Sequence, residues 1–102
     1  MIIARNAHVA SEVNTTLHTA DHGGTLQIRV LNTGAASTEI ELYLTATPAQ
    51  PAAGDRIDMA TLDPGQALLV SGEPVATGES VVVKPSGDNI NLSCRVSGFV
   101  ED

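Results

Sequence analysis

A chain of 102 residues is the size of one domain, and its net charge of −7, from twelve acidic and five basic residues, argues against binding to nucleic-acid phosphates. The single cysteine excludes an intrachain disulfide and a cysteine-based zinc finger. No apolar stretch has the length of a signal peptide or a membrane span, so we expect no membrane partner and assembly in a cytoplasm. Aromatic residues make up only 2% of the chain, which predicts a thin aliphatic core that burial between subunits would supplement.

Residues 1–24 are the least regular part of the sequence. Ile2 and Ile3 suit a short edge strand, and β-branched residues make 13–19 a candidate strand. Two alternatives follow for this segment. In the first, it is an arm that adds to a neighbouring subunit. In the second, it supplies edge strands to its own sandwich. In both, 25–102 form the β-sandwich domain.

Two segments, 25–31 and 38–45, alternate apolar and polar side chains with the period of two that is typical of half-buried strands. The Asn, Gly and Ser residues between them predict a hairpin turn. In such a hairpin Arg29 would lie near Glu39 or Glu41 on the solvent face and help to fix the register.

The second half of the chain continues as short strands separated by turns. A Pro-rich loop at 47–55, with Pro48 and Pro51, interrupts the strands and is a candidate contact element. No segment has a sustained helical period, so the sequence predicts an antiparallel β-sandwich of seven to eight strands, of jelly-roll or Greek-key type. The remaining strands are predicted at 56–62, 66–70, 80–84 and 89–100, with a break at 71–74.

The sequence offers little that would support catalysis. His8, His18 and His22, with Asp21, are donors that suit zinc or iron, which raises the alternative of a small cupin-like metal-binding protein. They lie in the irregular N-terminal part, however, and we predict no metal site and no cofactor. No nucleophile elbow, phosphate-binding glycine loop or HExxH motif is present, so we predict no catalytic residues and no enzyme activity.

The last predicted strand separates a thiol from an aromatic ring. Cys94 shares a face with Leu92 and Val96, which predicts a buried core thiol. Phe99 falls on the polar face, where it either packs at a sheet edge or anchors an interface. The candidate interface residues are Ile2, Ile3, Phe99, Pro48 and Pro51.

Several turn and strand signatures are distributed over about two-thirds of the chain. They are Val30–Gly34 leading into Ile40–Leu44, then Leu62–Gln66, Gly78–Val81 and Val96–Glu101. Through these, the chain from about Leu31 to Asp102 resembles small β-sandwich virion structural proteins of tailed bacteriophages. The resemblance implies a capsid decoration (cement) protein or a tail or adaptor component, and it supplies no catalytic residues.

The sequence and this resemblance together predict a non-enzymatic structural protein located in the virion. The first interpretation is a decoration protein that binds the outer shell and clamps neighbouring capsomers through many weak contacts. Its expected partner is the major capsid protein or another virion protein, and we expect a homo-oligomer, with a trimer preferred. The alternative virion role is a tail, baseplate or head–tail junction protein.

Overall fold

The computed structural model describes residues 1–101 as two four-stranded antiparallel sheets packed face to face. Sheet 1 has the strand order β1-β8-β3-β6, and sheet 2 has the order β2-β7-β4-β5. Eight antiparallel strands divided between two sheets in these orders form a jelly roll, so the predicted sandwich class is confirmed. The strands are β1 (Ile2–Val9), β2 (Thr15–Thr19), β3 (Gly24–Asn32), β4 (Thr38–Thr45), β5 (Arg56–Leu62), β6 (Ala67–Val75), β7 (Ser80–Ser86) and β8 (Leu92–Val100).

The core lies between the two sheets and is aliphatic. Because successive side chains of a strand point to opposite faces, alternate Leu, Ile and Val residues of every strand meet there. Neither aromatic residue, Tyr43 or Phe99, belongs to this core cluster. A 3₁₀ turn at Ala53–Asp55 precedes β5, and residues 1–101 contain no helix that is long and apolar enough to cross a membrane. The largest fully buried core side chains are Leu26, Ile28, Ile40, Leu42 and Leu92.

Residues 1–24 carry β1 and β2, which pair within their own sandwich. β1 pairs with β8 along its whole length, from Ile2 opposite Phe99 to Val9 opposite Leu92. β2 pairs with β7, with one irregularity in the register. Both are edge strands, one in each sheet. The segment thus supplies one edge strand to each sheet of its own sandwich, and the backbone groups of β1 and β2 bond to β8 and β7.

The predicted hairpin between β3 and β4 is wrong, because the two strands lie in different sheets. β3 pairs with β6 and β8, whereas β4 pairs with β5 and β7. Arg29 consequently lies opposite Leu69 and Arg95, not near Glu39 or Glu41. The connection at 33–37 carries the chain from one sheet to the other.

A buried amide explains this crossing. Asn32 is fully buried, and its side-chain Nδ2 donates hydrogen bonds to the carbonyl oxygens of Ala36 and Leu62, both at 2.8 Å. Its Oδ1 accepts a hydrogen bond from the Gly34 N–H at 2.9 Å. The side chain thus joins the β3–β4 connection to the end of β5. In a hairpin turn the same side chain would have been exposed to solvent. The bond to Leu62 is buried and the other two are partly buried, and unpaired polar groups are costly in such surroundings.

The predicted break at 71–74 is also corrected. β6 runs from Ala67 to Val75 without interruption. The register with β3 shifts between Leu26 and Ile28, so an extra residue of β6 is accommodated as a bulge. Gly72 has φ +70 at this point, a conformation that glycine adopts without steric cost.

Cys94 is buried in the core, as its register predicted, and burial raises the pKa of its thiol to about 11. We expect the native thiol to react with Ellman's reagent about 100-fold more slowly than free cysteine, because the thiolate is the nucleophile.

Cys94→Asp should lower the free energy of unfolding by about 3 kcal/mol, since it places an unpaired charge in the core. Ser93→Asp, on the outward face of the same strand, is the control and should cost little. A native thiol as reactive as free cysteine would contradict this placement.

Candidate functional site

The outer face of sheet 1 is the most distinctive surface of the described chain. Although the protein has a net charge of −7, none of the outward strand positions of this face is acidic. Two of the five basic residues, Arg29 and Arg95, lie there. The face includes Ile2, Ala4, Asn6 and His8 of β1, Ser93, Arg95, Ser97 and Phe99 of β8, Thr25, Gln27, Arg29 and Leu31 of β3, and Ala67, Leu69 and Pro74 of β6.

One end of this face is apolar. Ile2 and Phe99 lie opposite each other on β1 and β8 and are 72% and 69% exposed. They border a shallow groove of about 330 Å³ that Thr25 of β3 and Gly72 of β6 also line. Because Gly72 has no side chain, the groove stays open towards β6. Covering one such large apolar side chain is worth about 2 kcal/mol, so this end suits an interface anchor.

The centre of the face is cationic. Arg29 and Arg95 are directly opposite on β3 and β8, and both are exposed. With Gln27, Leu69 and Ser97 they line a cleft of about 180 Å³. Like charges placed directly opposite on neighbouring strands destabilise a sheet, so stability does not account for this pair.

The two guanidinium groups have no acidic partner among residues 1–101. Arg95 Nη1 donates a hydrogen bond to Asn6 Oδ1 at 2.9 Å, which is a neutral contact. The ion pair within the described chain joins Arg56 to Glu41 at 3.5 Å on sheet 2. The charges of Arg29 and Arg95 therefore remain available to a ligand or partner.

The structure brings together two of the five predicted interface residues. Ile2 and Phe99 lie side by side on the outer face of sheet 1. Ile3 points the other way and packs against the core. Pro48 and Pro51 are half-buried in the β4–β5 connection, which belongs to sheet 2.

Three members of this surface were missed by the sequence analysis. Leu69, 55% exposed, extends the apolar surface, and Arg29 and Arg95 form its cationic centre. The alternation of β3 and β8 does place both arginines on polar faces. Their juxtaposition depends on the pairing of β3 with β8, which no local pattern encodes.

The outer face of sheet 2 differs in charge. A groove of about 400 Å³ lies over β4 and is lined by Glu39, Glu41, Met59 and Lys84. Glu41 accepts a hydrogen bond from the Tyr43 hydroxyl, and this bond raises the pKa of that phenol. Acids and bases on this face are mixed, and Glu41 is already paired with Arg56, so the face offers no unpaired cationic pair comparable to that of sheet 1.

The three histidines do not meet at one site. His18 and His22 line a cleft of about 180 Å³ with Asp21 and Arg5, near the start of β1 and the end of β8. His8 lies elsewhere, in hydrogen-bond contact with the side chain of Asn91. Among residues 1–101 no three His, Cys, Asp or Glu side chains are arranged to hold a metal ion.

The burial of His18 predicts that the fold is sensitive to acid. It is 9% exposed, and its Nε2 is enclosed without a hydrogen-bond partner among the described residues. Burial, followed by the charge of Arg5, lowers the pKa of His18 below its ordinary value of 6.5, and Asp21 opposes them. A lowered folded-state pKa means that stability is complete above pH 6.5 and is lost as pH falls below that value.

We therefore expect the free energy of unfolding, measured by urea denaturation, to fall as the pH is lowered below 6.5. His18→Leu should make this fall shallower, because Leu does not titrate. His22→Gln, at an exposed position, is the matched control and should retain the slope of the parent protein. An unchanged slope in His18→Leu would refute this assignment.

Comparisons with known proteins show no family for this chain. The sequence matches no protein-family model and no curated protein. Among solved structures, the Yersinia pseudotuberculosis-derived mitogen aligns with all of this chain and 87% of its own, with a TM-score of 0.47 and 14% identity. This distant likeness supports no statement about function or partners.

Proposed function

We propose that this protein is a non-enzymatic structural protein of a bacteriophage particle that docks on another virion protein through the outer face of sheet 1. The observation that carries the docking role is that exposed Ile2, Leu69 and Phe99 share one face with two arginines that have no acidic partner among residues 1–101. The virion setting is supported by the resemblance of residues 31–102 to phage β-sandwich proteins.

Within the particle, the proposed role is that of a capsid decoration protein. Each jelly roll contacts the shell over one face and bridges neighbouring capsomers, and many such contacts together give strong attachment. The major capsid protein is then the partner. A tail, baseplate or head–tail junction role would use the same face on a different virion protein.

Copy number distinguishes these roles. Quantitative mass spectrometry of purified particles should find the chain in numbers comparable to the major capsid protein if it decorates the shell. A count of about a dozen or fewer per particle would place it at the tail or the head–tail junction, where few equivalent sites exist. Absence of the chain from purified particles would refute the virion role itself.

Self-association is part of this proposal. A two-fold contact through the outer face of sheet 1 would bring the Arg29–Arg95 pairs of two copies together, so we place the interface at β1, the edge strand of sheet 1. We expect a trimer by size-exclusion chromatography with light scattering. A monomer of 10.5 kDa at high concentration would contradict self-association in solution.

A further inference from the structure

We infer that the docking partner presents an extended acidic segment, with one carboxylate seated between Arg29 and Arg95 and one apolar side chain packed beside Phe99. This inference rests on the proposed docking role of the outer face of sheet 1 and adds the chemistry of the partner. Its basis is the charge of the face, the geometry of the cleft and the spacing along β8.

The charge distribution favours a carboxylate. Arg29 and Arg95 are register partners, and neither forms an ion pair with an acid within residues 1–101. None of the eleven acids in this range occupies an outward strand position of this face. A carboxylate placed between the two guanidinium groups relieves their repulsion. It also accepts charge-assisted hydrogen bonds, for which the planar guanidinium is well suited.

The cleft supplies further hydrogen-bond donors. Besides the arginines, its lining includes the Gln27 amide and the Ser97 hydroxyl, and the side chain of Leu69 closes one side. Such a mixture of donors and one apolar wall can hold a carboxylate and the methylene groups that carry it. A Glu side chain has this composition.

The spacing along β8 defines the motif. Arg95 and Phe99 are four residues apart on the same face of one strand, which corresponds to about 13 Å in an extended chain. A partner segment that runs along β8 in extended form would place its carboxylate and its apolar side chain four residues apart as well. The intervening outward residue, Ser97, leaves room for the partner backbone.

Two other occupants fit less well. A second copy docked face to face would bring four arginines together, which costs free energy instead of gaining it. A nucleic acid would meet a single arginine pair on a protein that is otherwise acidic, and phosphate backbones require clustered positive charge. The net negative charge of the rest of the protein repels an acidic segment, so such a partner is directed towards this one face.

The test is an NMR titration of the ¹⁵N-labelled full-length protein with a synthetic nine-residue peptide rich in Thr and Val, carrying Leu and Glu four positions apart. The Nε–H signals of Arg29 and Arg95 report occupancy of the cleft. We expect both to shift, and the Kd of a matched peptide with Gln in place of Glu to be at least about tenfold higher. Inorganic phosphate is the second probe, and an equal response to it would reduce the cleft to a general anion site and overturn the inference.

Variants test whether the two arginines cause the preference for the Glu peptide. The double variant Arg29→Gln, Arg95→Gln should lose the preference for Glu over Gln peptide, whereas Lys84→Gln, which removes a cation from sheet 2, should keep it. If neither arginine signal moves at peptide concentrations up to about 5 mM, the affinity is too weak for a docking contact and the inference is wrong.

Binding to particles separates this inference from the proposed function. If Phe99→Ser loses binding to particles and the double arginine variant retains it, the docking face stands and the acidic segment is refuted. If both bind as the parent protein does, both proposals fail.

Discussion

Gly98→Ala should lower the free energy of unfolding by about 4 kcal/mol, one of the largest effects expected for a change of this size. A Cβ atom added at Gly98 would lie 2.1 Å from the carbonyl oxygen of Thr25 and 3.0 Å from the Cα of Leu26. Both are backbone atoms of β3, so the clash cannot be relieved by rotating a side chain. β3 and β8 would have to separate next to Phe99, where Gly24 makes a similarly close approach to β8.

The control for this change is Gly54→Ala. Gly54 has no atom within 4 Å of an added Cβ and does not adopt a positive φ. Its substitution should alter the free energy of unfolding by less than about 0.5 kcal/mol. Urea denaturation gives the free energy of unfolding of both variants and of the parent protein. Equal stability of Gly98→Ala and Gly54→Ala would mean that β3 and β8 do not approach closely at Gly98.

Asn32→Asp should be comparably harmful, with a loss of about 4 kcal/mol, even though the two side chains have nearly the same shape. The substitution removes the two N–H groups that donate to the carbonyl oxygens of Ala36 and Leu62. It leaves a carboxylate facing those same oxygens in a fully buried site. Loss of the hydrogen bonds and burial of a charge both act in the same direction.

Asn14→Asp is the matched control, because Asn14 is exposed in the β1–β2 connection. It makes the same chemical change without removing a buried hydrogen bond and should be close to neutral. Thermal denaturation followed by circular dichroism compares the two variants. Similar melting temperatures would mean that the buried amide does not hold the connections between the sheets.

Local patterns predicted the strands and their faces well, because alternation of side chains is a property of each strand by itself. The burial of Cys94 and the exposure of Phe99 both followed from the alternation of β8. Pairing, in contrast, is decided by contacts distant in sequence. The residues Asn32 to Ser37 read as a hairpin turn, since the same small polar residues that suit a tight turn also suit a connection between two sheets.

The candidate site shows the same division. The sequence identified Ile2 and Phe99 separately, yet only the pairing of β1 with β8 makes them neighbours. Ile3 was chosen with Ile2, although consecutive strand residues point to opposite faces. The arginine pair arose from β3 and β8, which are separated by some 60 residues of chain, and no sequence signal connected them.

The most direct test of the docking surface measures binding of purified protein to particles stripped of it, for Phe99→Ser and for Met59→Ser. Both positions are exposed and apolar, at 69% and 58%, but Phe99 lies on the outer face of sheet 1 and Met59 on sheet 2. Neither change should affect folding, since neither side chain is buried. The proposed surface predicts at least about a tenfold loss of affinity for Phe99→Ser and none for Met59→Ser. Undiminished binding of Phe99→Ser, or an equal loss in both variants, would contradict it.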